Sequence, residues 1–314
     1  MPIRPVLGRG SGPASRKIRV LLYGVLLAAV GVVVTLGANL TILAFASPPG
    51  EALKARLSPT GGSLVICGGG GIPEPVRDRF IELAGGARAR LVIIPTAHQL
   101  ADRPGASAVL DPWKDKGVAS VQLFHTRSHE AANDDAFVRP LTEATGVWLG
   151  GGQQSSLTDA YLGTEVERQL KALLDRGGVI GGTSAGAAVM TKVMIARGRT
   201  KPDVSRGFGF LPGAVVDQHF LKRNRLGRLL SVLADHPDLI GLGIDERTAL
   251  VVNVRSHLVN VIGDSYVVAC VPGPEGHPAR LEILKPGDEI NLAKLKELED
   301  PSLAIAHAID ADSL

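Results

Sequence analysis

Short, mostly apolar runs recur along this chain, and stretches with a single apolar face separate them. Ser63–Cys67, Leu91–Ile94, Val118–Phe124, Gly146–Leu149, Val179–Ile180, Ala214–Val216 and Leu239–Ile244 are the runs. Apolar residues at successive positions, rather than alternate ones, mark strands buried on both faces, as in a parallel sheet. Pro73–Leu83, Ser107–Lys116, Asp134–Ala144, Ser156–Leu174 and Arg223–Ala234 read as helices; in the last, Leu226, Leu229, Leu230 and Leu233 supply the apolar face. Strands alternating with helices predict an α/β fold, a mostly parallel sheet sandwiched by helices. Ala249–Val254, His257–Ile262 and Tyr266–Val271 follow one another without helices and predict a C-terminal antiparallel extension. The Gly- and charge-rich residues 196–213 read as irregular.

One run is of another kind. Residues 20–46 carry no charge, and Arg4, Arg9, Arg16, Lys17 and Arg19 precede them. Such a run is long enough to cross a bilayer, and its basic flank predicts a cytoplasmic N-terminus with the rest of the chain outside. Ala44-Phe45-Ala46 resembles a signal-peptidase site, so two readings stand: a membrane anchor, or a signal sequence and a protein secreted after cleavage behind Ala46. The organisation expected is therefore a basic N-terminus over 1–19, the anchor or signal over 20–46, a Pro- and Gly-rich linker over 47–62, a catalytic domain over 63–290 and a polar tail over 291–314.

Composition adds bounds. The 314 residues suffice for one large domain or two small ones. The net charge is +3 and its surplus lies near the N-terminus, so nothing points to nucleic acid. Cys67 and Cys270 offer no metal motif; they are read as buried free thiols, with one disulfide as the alternative.

Chemistry concentrates where strands end. Gly182-Thr183-Ser184-Ala185-Gly186 fits G-x-S-x-G, which sets a serine on a sharp turn between strand and helix. Ser184 is a candidate nucleophile on that pattern; a serine capping a helix is the plain alternative. Among eight histidines, only His98 and His219 directly follow a strongly apolar strand, and Asp217 and Gln218 adjoin His219. Gly150–Gln153, Thr183–Ser184 and Asp217–His219 are three strand ends that a parallel sheet would gather in one crevice. The glycines of 68–71 miss the dinucleotide-binding spacing, because Pro73 stands where the third glycine belongs, and read as a tight turn beside an active site.

These motifs together resemble the cyanophycinases. Gly-Thr-Ser-Ala-Gly-Ala-Ala, Val-Asp-Gln-His-Phe, Arg223-Asn-Arg-Leu-x-Arg228-Leu-Leu and Gly241-Leu-Gly-Ile-Asp-Glu246 carry the likeness, over about Ser63 to Val271. The resemblance implies a serine peptidase on a class I glutamine-amidotransferase-like (flavodoxin-like) fold, grouped with the aspartyl dipeptidases. It implies Ser184 as nucleophile, His219 as general base, and the backbone N–H groups of Gly151 and Ala185 as oxyanion hole. Gln153, Asp217, Gln218, Arg223, Arg225 and Arg228 match substrate-pocket positions, with Asp217 suited to a substrate guanidinium. The substrate implied is an aspartate-rich peptide such as cyanophycin, cleaved to β-Asp-Arg dipeptides, with no metal or organic cofactor and with a homodimer as the common assembly. The alternatives are an aspartyl dipeptidase and a catalytically impaired binding module. Two departures stand out. Gly152 replaces an aspartate of the family pattern, and the segment expected to supply an acidic third triad member, 197–206, is basic; Asp203 is its sole carboxylate and the candidate.

Overall fold

The computed structural model describes residues 61–199, 201–274 and 276–297. The anchor-or-signal run and the tail beyond residue 297 lie outside them, and among the described residues no helix is long and apolar enough to cross a membrane.

Five strands form the parallel part of the main sheet: β1 (Ser63–Cys67), β2 (Arg90–Ile94), β3 (Ser120–Leu123), β4 (Gly146–Leu149) and β5 (Val179–Thr183). β1 and β4 are buried at every position, as their unbroken apolar runs predict. The intervening helices are α1 (Glu74–Leu83), a single turn α2 (Asp111–Lys114) preceded by a 3-10 turn, α3 (Asp135–Glu143), α4 (Gln154–Tyr161) and α5 (Glu165–Asp175). The helix expected over Ser156–Leu174 is thus two. It breaks where the Glu167 carboxylate accepts the Gly163 N–H at 2.6 Å and the Thr164 hydroxyl donates to the Tyr161 carbonyl at 2.7 Å.

After β5 comes the short helix α6 (Ala185–Ala188), and then a hairpin of β6 (Val193–Arg197) and β7 (Asp203–Arg206) in the segment read as irregular. β8 (Ala214–Gln218), helix α7 (Leu226–Asp235) and β9 (Ile240–Ile244) follow. β8 and β9 are parallel but do not join the main sheet. They belong to a second sheet of order β13-β12-β9-β8, where β12 is Val267–Val271 and β13 is Arg280–Leu284. The expected closing set also divides. β10 (Thr248–Asn253) extends the main sheet antiparallel to β1 and β11 (Leu258–Gly263) pairs antiparallel with β10, whereas β12 pairs with β9. With β14 (Glu289–Asn291) the main sheet reads β14-β11-β10-β1-β5-β4-β2-β3.

Strand register assembles the site. Cys67 pairs with Thr183 and Leu149 with Gly182, so the turns after β1 and β4 flank Ser184. In the second sheet Gln218 pairs with Ile244, which brings His219 beside Asp245 and Glu246. Two backbone bonds join the sheets at this point: His219 N–H to the Gly68 carbonyl and Arg247 N–H to the Gly69 carbonyl, both 2.7 Å.

Candidate active site

Ser184 sits between the end of β5 and the start of α6 with φ 53° and ψ −108°, a conformation rare for a residue with a side chain. Its N–H donates to the Cys67 carbonyl at 3.0 Å, while its own carbonyl accepts from Ala187 and Ala188, also at 3.0 Å. The turn depends on helix and sheet meeting closely. A Cβ at Gly186 would lie 2.1 Å from the Leu149 carbonyl oxygen, so only glycine fits there. Gly151 comes from the turn after β4 and lies against the serine; a Cβ on it would stand 3.5 Å from Ser184 Cβ. Ala185 is the first residue of α6.

The Ser184 hydroxyl is 2.9 Å from His219 Nε2. On the other side of the ring, Nδ1 lies 2.7 Å from Glu246 Oε1. A carboxylate accepts, so Nδ1 carries the proton and Nε2 is left to accept from the serine. Gly69 (φ +108°) leaves room for the imidazole: a Cβ on it would sit 2.3 Å from His219 Cε1. His219 is 8% exposed. Burial pushes its pKa below the usual histidine range; Glu246 opposes this, and the charges of Arg223 and Arg225 add to it. The ring is therefore a neutral base at neutral pH.

The expected third member is corrected. Asp203 lies on β7, where its carboxylate accepts from Arg197 Nε at 2.7 Å and is largely exposed, while the place beside His219 Nδ1 is filled by Glu246. Asp245, its neighbour, does other work: it accepts the Lys222 N–H at 2.9 Å and the Ser265 hydroxyl at 2.8 Å, tying down the turn after His219.

A cavity of about 510 Å³ opens beside Ser184, lined by Gly152, Gln154, the hairpin residues Arg197 and Arg199, and Gln218, Arg223, Arg225 and Arg228 among others. Arg223 and Arg225 precede α7 rather than sit within it, since the chain from His219 to Arg225 makes a tight turn. Asp217 is 1% exposed and already paired. Arg228 holds both its oxygens, with Nε to Oδ2 at 2.8 Å and NH2 to Oδ1, and Arg225 NH1 approaches Oδ1 at 3.3 Å. The idea that Asp217 suits a substrate guanidinium is therefore corrected: it is buried and paired with two of the protein's own arginines, which it orients instead. Arg225 also donates to the Gln218 carbonyl at 2.5 Å and side chain at 3.0 Å; burial lowers its pKa to about 10, which leaves it cationic. No carboxylate lines this cavity, so its character is that of an anion receptor. Gln153 is not among its lining residues. That side chain donates to the Ser155 hydroxyl at 2.8 Å and borders an adjoining depression with Asp203 and Ser205. Cys67 and Cys270 are buried free thiols. Among the described residues no cluster of His, Cys, Asp and Glu is arranged to hold a metal.

Comparison with known proteins places the chain in a family. The model of peptidase family S51 matches residues 63–258. The cyanophycinase of Synechococcus elongatus is 34% identical over 251 residues, which cover 71% of this chain and 77% of that protein. The cyanophycinase of Geminocystis herdmanii is 33% identical over 241 residues, 69% of this chain and 88% of that protein. The crystal structure of a peptidase from an acI-B1 Actinobacterium superposes with a TM-score of 0.56 at 24% identity, covering 76% of this chain and all of that one, which speaks for a shared fold. The chain belongs to peptidase family S51 and is a cyanophycinase-like serine peptidase.

Proposed function

We propose that Ser184, His219 and Glu246 form the catalytic triad of a peptidase that cleaves peptide bonds formed by the carbonyl of an aspartate residue. The observation that carries this reading is the line from Ser184 Oγ through His219 to Glu246, at 2.9 and 2.7 Å, beside a cavity of arginines. Neutral His219 takes the Ser184 proton as Oγ attacks the carbonyl, and Glu246 stabilises the imidazolium that forms. The N–H groups of Gly151 and Ala185 receive the oxyanion. His219 then protonates the leaving amine, and a water repeats the sequence on the acyl-enzyme. The arginine cavity receives carboxylates of the aspartyl substrate, with Arg223 nearest to free charge because Asp217 pairs with both Arg228 and Arg225.

Cyanophycin, with its poly-aspartate backbone, is the polymer to try first, with β-Asp-Arg as product. The experiment is incubation of the full-length protein with cyanophycin and assay of released dipeptide, with Ser184→Ala as control. Dipeptide release that depends on Ser184 is the expected result. A second reading, an aspartyl dipeptidase, is favoured by the saturated Asp217, since a cavity without a free carboxylate rewards the aspartate and not the arginine. Short aspartyl peptides hydrolysed while cyanophycin stays intact would select it. A serine-directed phosphonate that fails to label Ser184 would defeat both.

A further inference from the structure

The oxyanion hole proposed above draws its two N–H groups from different turns. That of Ala185 comes with the nucleophile, as the next residue. Gly151 belongs to the turn after β4, where three glycines in succession, Gly150–Gly152, give the backbone little conformational preference of its own. Among the described residues the Gly151 N–H has no acceptor, so no bond of its own sets its direction. The loop after β2 fixes its neighbours instead. The Ile94 carbonyl accepts the Gly150 N–H at 2.9 Å, and the Ala97 carbonyl accepts the Gln153 N–H at 2.8 Å. A Cβ on Gly152 (φ +140°) would lie 2.0 Å from the same Ala97 oxygen. Residues 94–97 thus grip the chain on both sides of Gly151.

A chain of side chains holds that loop, and one assignment of its protons satisfies every member. Asp102 Oδ1 lies 2.8 Å from His125 Nε2. Hydrogen bonds from Arg127 and His125 hold the Asp102 carboxyl below its usual pKa, so it is an acceptor. His125 therefore carries its proton on Nε2 and accepts at Nδ1, 2.8 Å from the Thr96 hydroxyl. Thr96 has one proton to give and gives it there, so at 2.6 Å it accepts from the Tyr161 hydroxyl. Tyr161 in turn accepts the Thr126 N–H at 3.2 Å. Thr96 and Tyr161 are fully buried, so a lost partner leaves a polar group unsatisfied. Arg127 completes the frame, donating to Asp102 at 2.6 Å and to the carbonyls of Thr96 and His98 at 3.1 Å each.

Neither Thr96 nor His125 lines the arginine cavity, and neither bonds to Ser184, His219 or Glu246. Their route to the reaction runs through the turn that carries Gly151. Misplacing a group at a reacting centre by about 1 Å can cost about 10²-fold in rate, and an oxyanion contact is made in the transition state rather than with the ground-state carbonyl. We propose that Thr96, His125 and Asp102 are positioning residues for catalysis: acting through residues 94–97, they set the Gly151 N–H on the place where the oxyanion forms. The inference rests on the reading of the site as a serine peptidase, and it holds for any aspartyl substrate the cavity admits.

The test removes the Thr96 hydroxyl from the full-length protein with Thr96→Val and restores it with Thr96→Ser. Molecules are counted by the Ser184 that a serine-directed phosphonate labels at completion, so unfolded protein drops out of every rate. Thr96→Val is expected to lower kcat by about 10- to 100-fold on whichever substrate wild type cleaves, cyanophycin or a short aspartyl peptide. KM is expected to stay within about twofold, the mark of a contact made only in the transition state. The rate of phosphonate labelling, which needs no substrate, is expected to fall along with kcat. Thr96→Ser keeps the hydroxyl and is expected to recover most of both losses. Asp102→Ala, at the exposed end of the chain of bonds, is expected to move kcat and labelling rate in the same direction, and it carries the test if Thr96→Val does not fold. A kcat and labelling rate that these substitutions leave unchanged, a loss that appears in KM instead, or a Thr96→Ser no better than Thr96→Val overturns the inference and leaves the peptidase reading standing. Wild type that the phosphonate does not label overturns both.

Discussion

Glu246 and Asp203 are the two carboxylates between which the site has to choose, and geometry chooses Glu246. Glu246→Gln keeps the shape but replaces an acceptor for the Nδ1 proton with a group that can present its amide instead; kcat is expected to fall by about 10²–10⁴-fold with the substrate's KM little changed. Asp203→Asn loses an exposed pair with Arg197 and is expected to leave kcat within about twofold. Equal losses in the two variants, measured in steady-state turnover, would contradict this assignment. The pH dependence belongs at this scale too. Burial, helped by Arg223 and Arg225, lowers the His219 pKa, so the base form persists below pH 6.5 and the acid limb of kcat/KM lies below that value. Arg223→Gln removes one repelling charge; the His219 pKa rises, and the limb moves to higher pH. A pH–rate profile of the variant with an unmoved limb would show that Arg223 has no such influence. Ser184 and His219 were legible in the sequence because each ends an apolar strand within a recognisable pattern. Glu246 was not, although Asp245-Glu246 also ends a strand, because two adjacent carboxylates look alike until register decides which one faces the imidazole.

Elements meet at Arg228. It joins α7 to β8 through Asp217 and to the loop after β6 through the Gly198 carbonyl, which NH1 reaches at 2.5 Å. Both partners are buried, Arg228 at 5% and Asp217 at 1% exposure. Removing one charge strands the other, so Asp217→Ala is expected to destabilise the fold by about 3–5 kcal/mol in urea unfolding. Replacing both residues with leucine is expected to restore much of that stability and none of the activity, because the arginines around the substrate cavity lose their anchor. Recovery of activity along with stability would mean that Asp217 does not organise the cavity. The apolar runs located the strands of the parallel sheet well, since burial on both faces leaves a plain mark. The helices were less legible. Apolar spacing runs on across Leu162–Thr164, and only the bonds that Glu167 and Thr164 make there show where one helix stops.

At the scale of the whole molecule, the proposed triad is divided between two sheets. Ser184 follows β5 of the main sheet, whereas His219 and Glu246 follow β8 and β9 of the smaller one. Alternating strands and helices predicted a single parallel crevice, and pattern alone could not show that β8 and β9 leave the sheet, because a buried parallel pair reads the same in either place. The division makes catalysis dependent on how the sheets are joined. They share one continuous core: Leu64, Ile66, Leu250 and Val252 of the main sheet cluster with Val216, Leu242, Ile244 and Val267 of the smaller one. Each sheet also packs a cluster on its far face, around Val65, Phe80 and Trp148 in one and Val215, Phe220 and Leu229 in the other, but exposing either sheet's share of the common core would uncover the other's. We therefore expect the two sheets to come apart in the same step that unfolds them. In a urea titration of the full-length protein, peptidase activity and far-UV circular dichroism should fall at the same denaturant concentration. Activity lost at clearly lower urea, with the dichroism intact, would mean instead that the small sheet undocks while folded, and that the shared core and the two backbone bonds at Gly68 and Gly69 do not suffice to bind it.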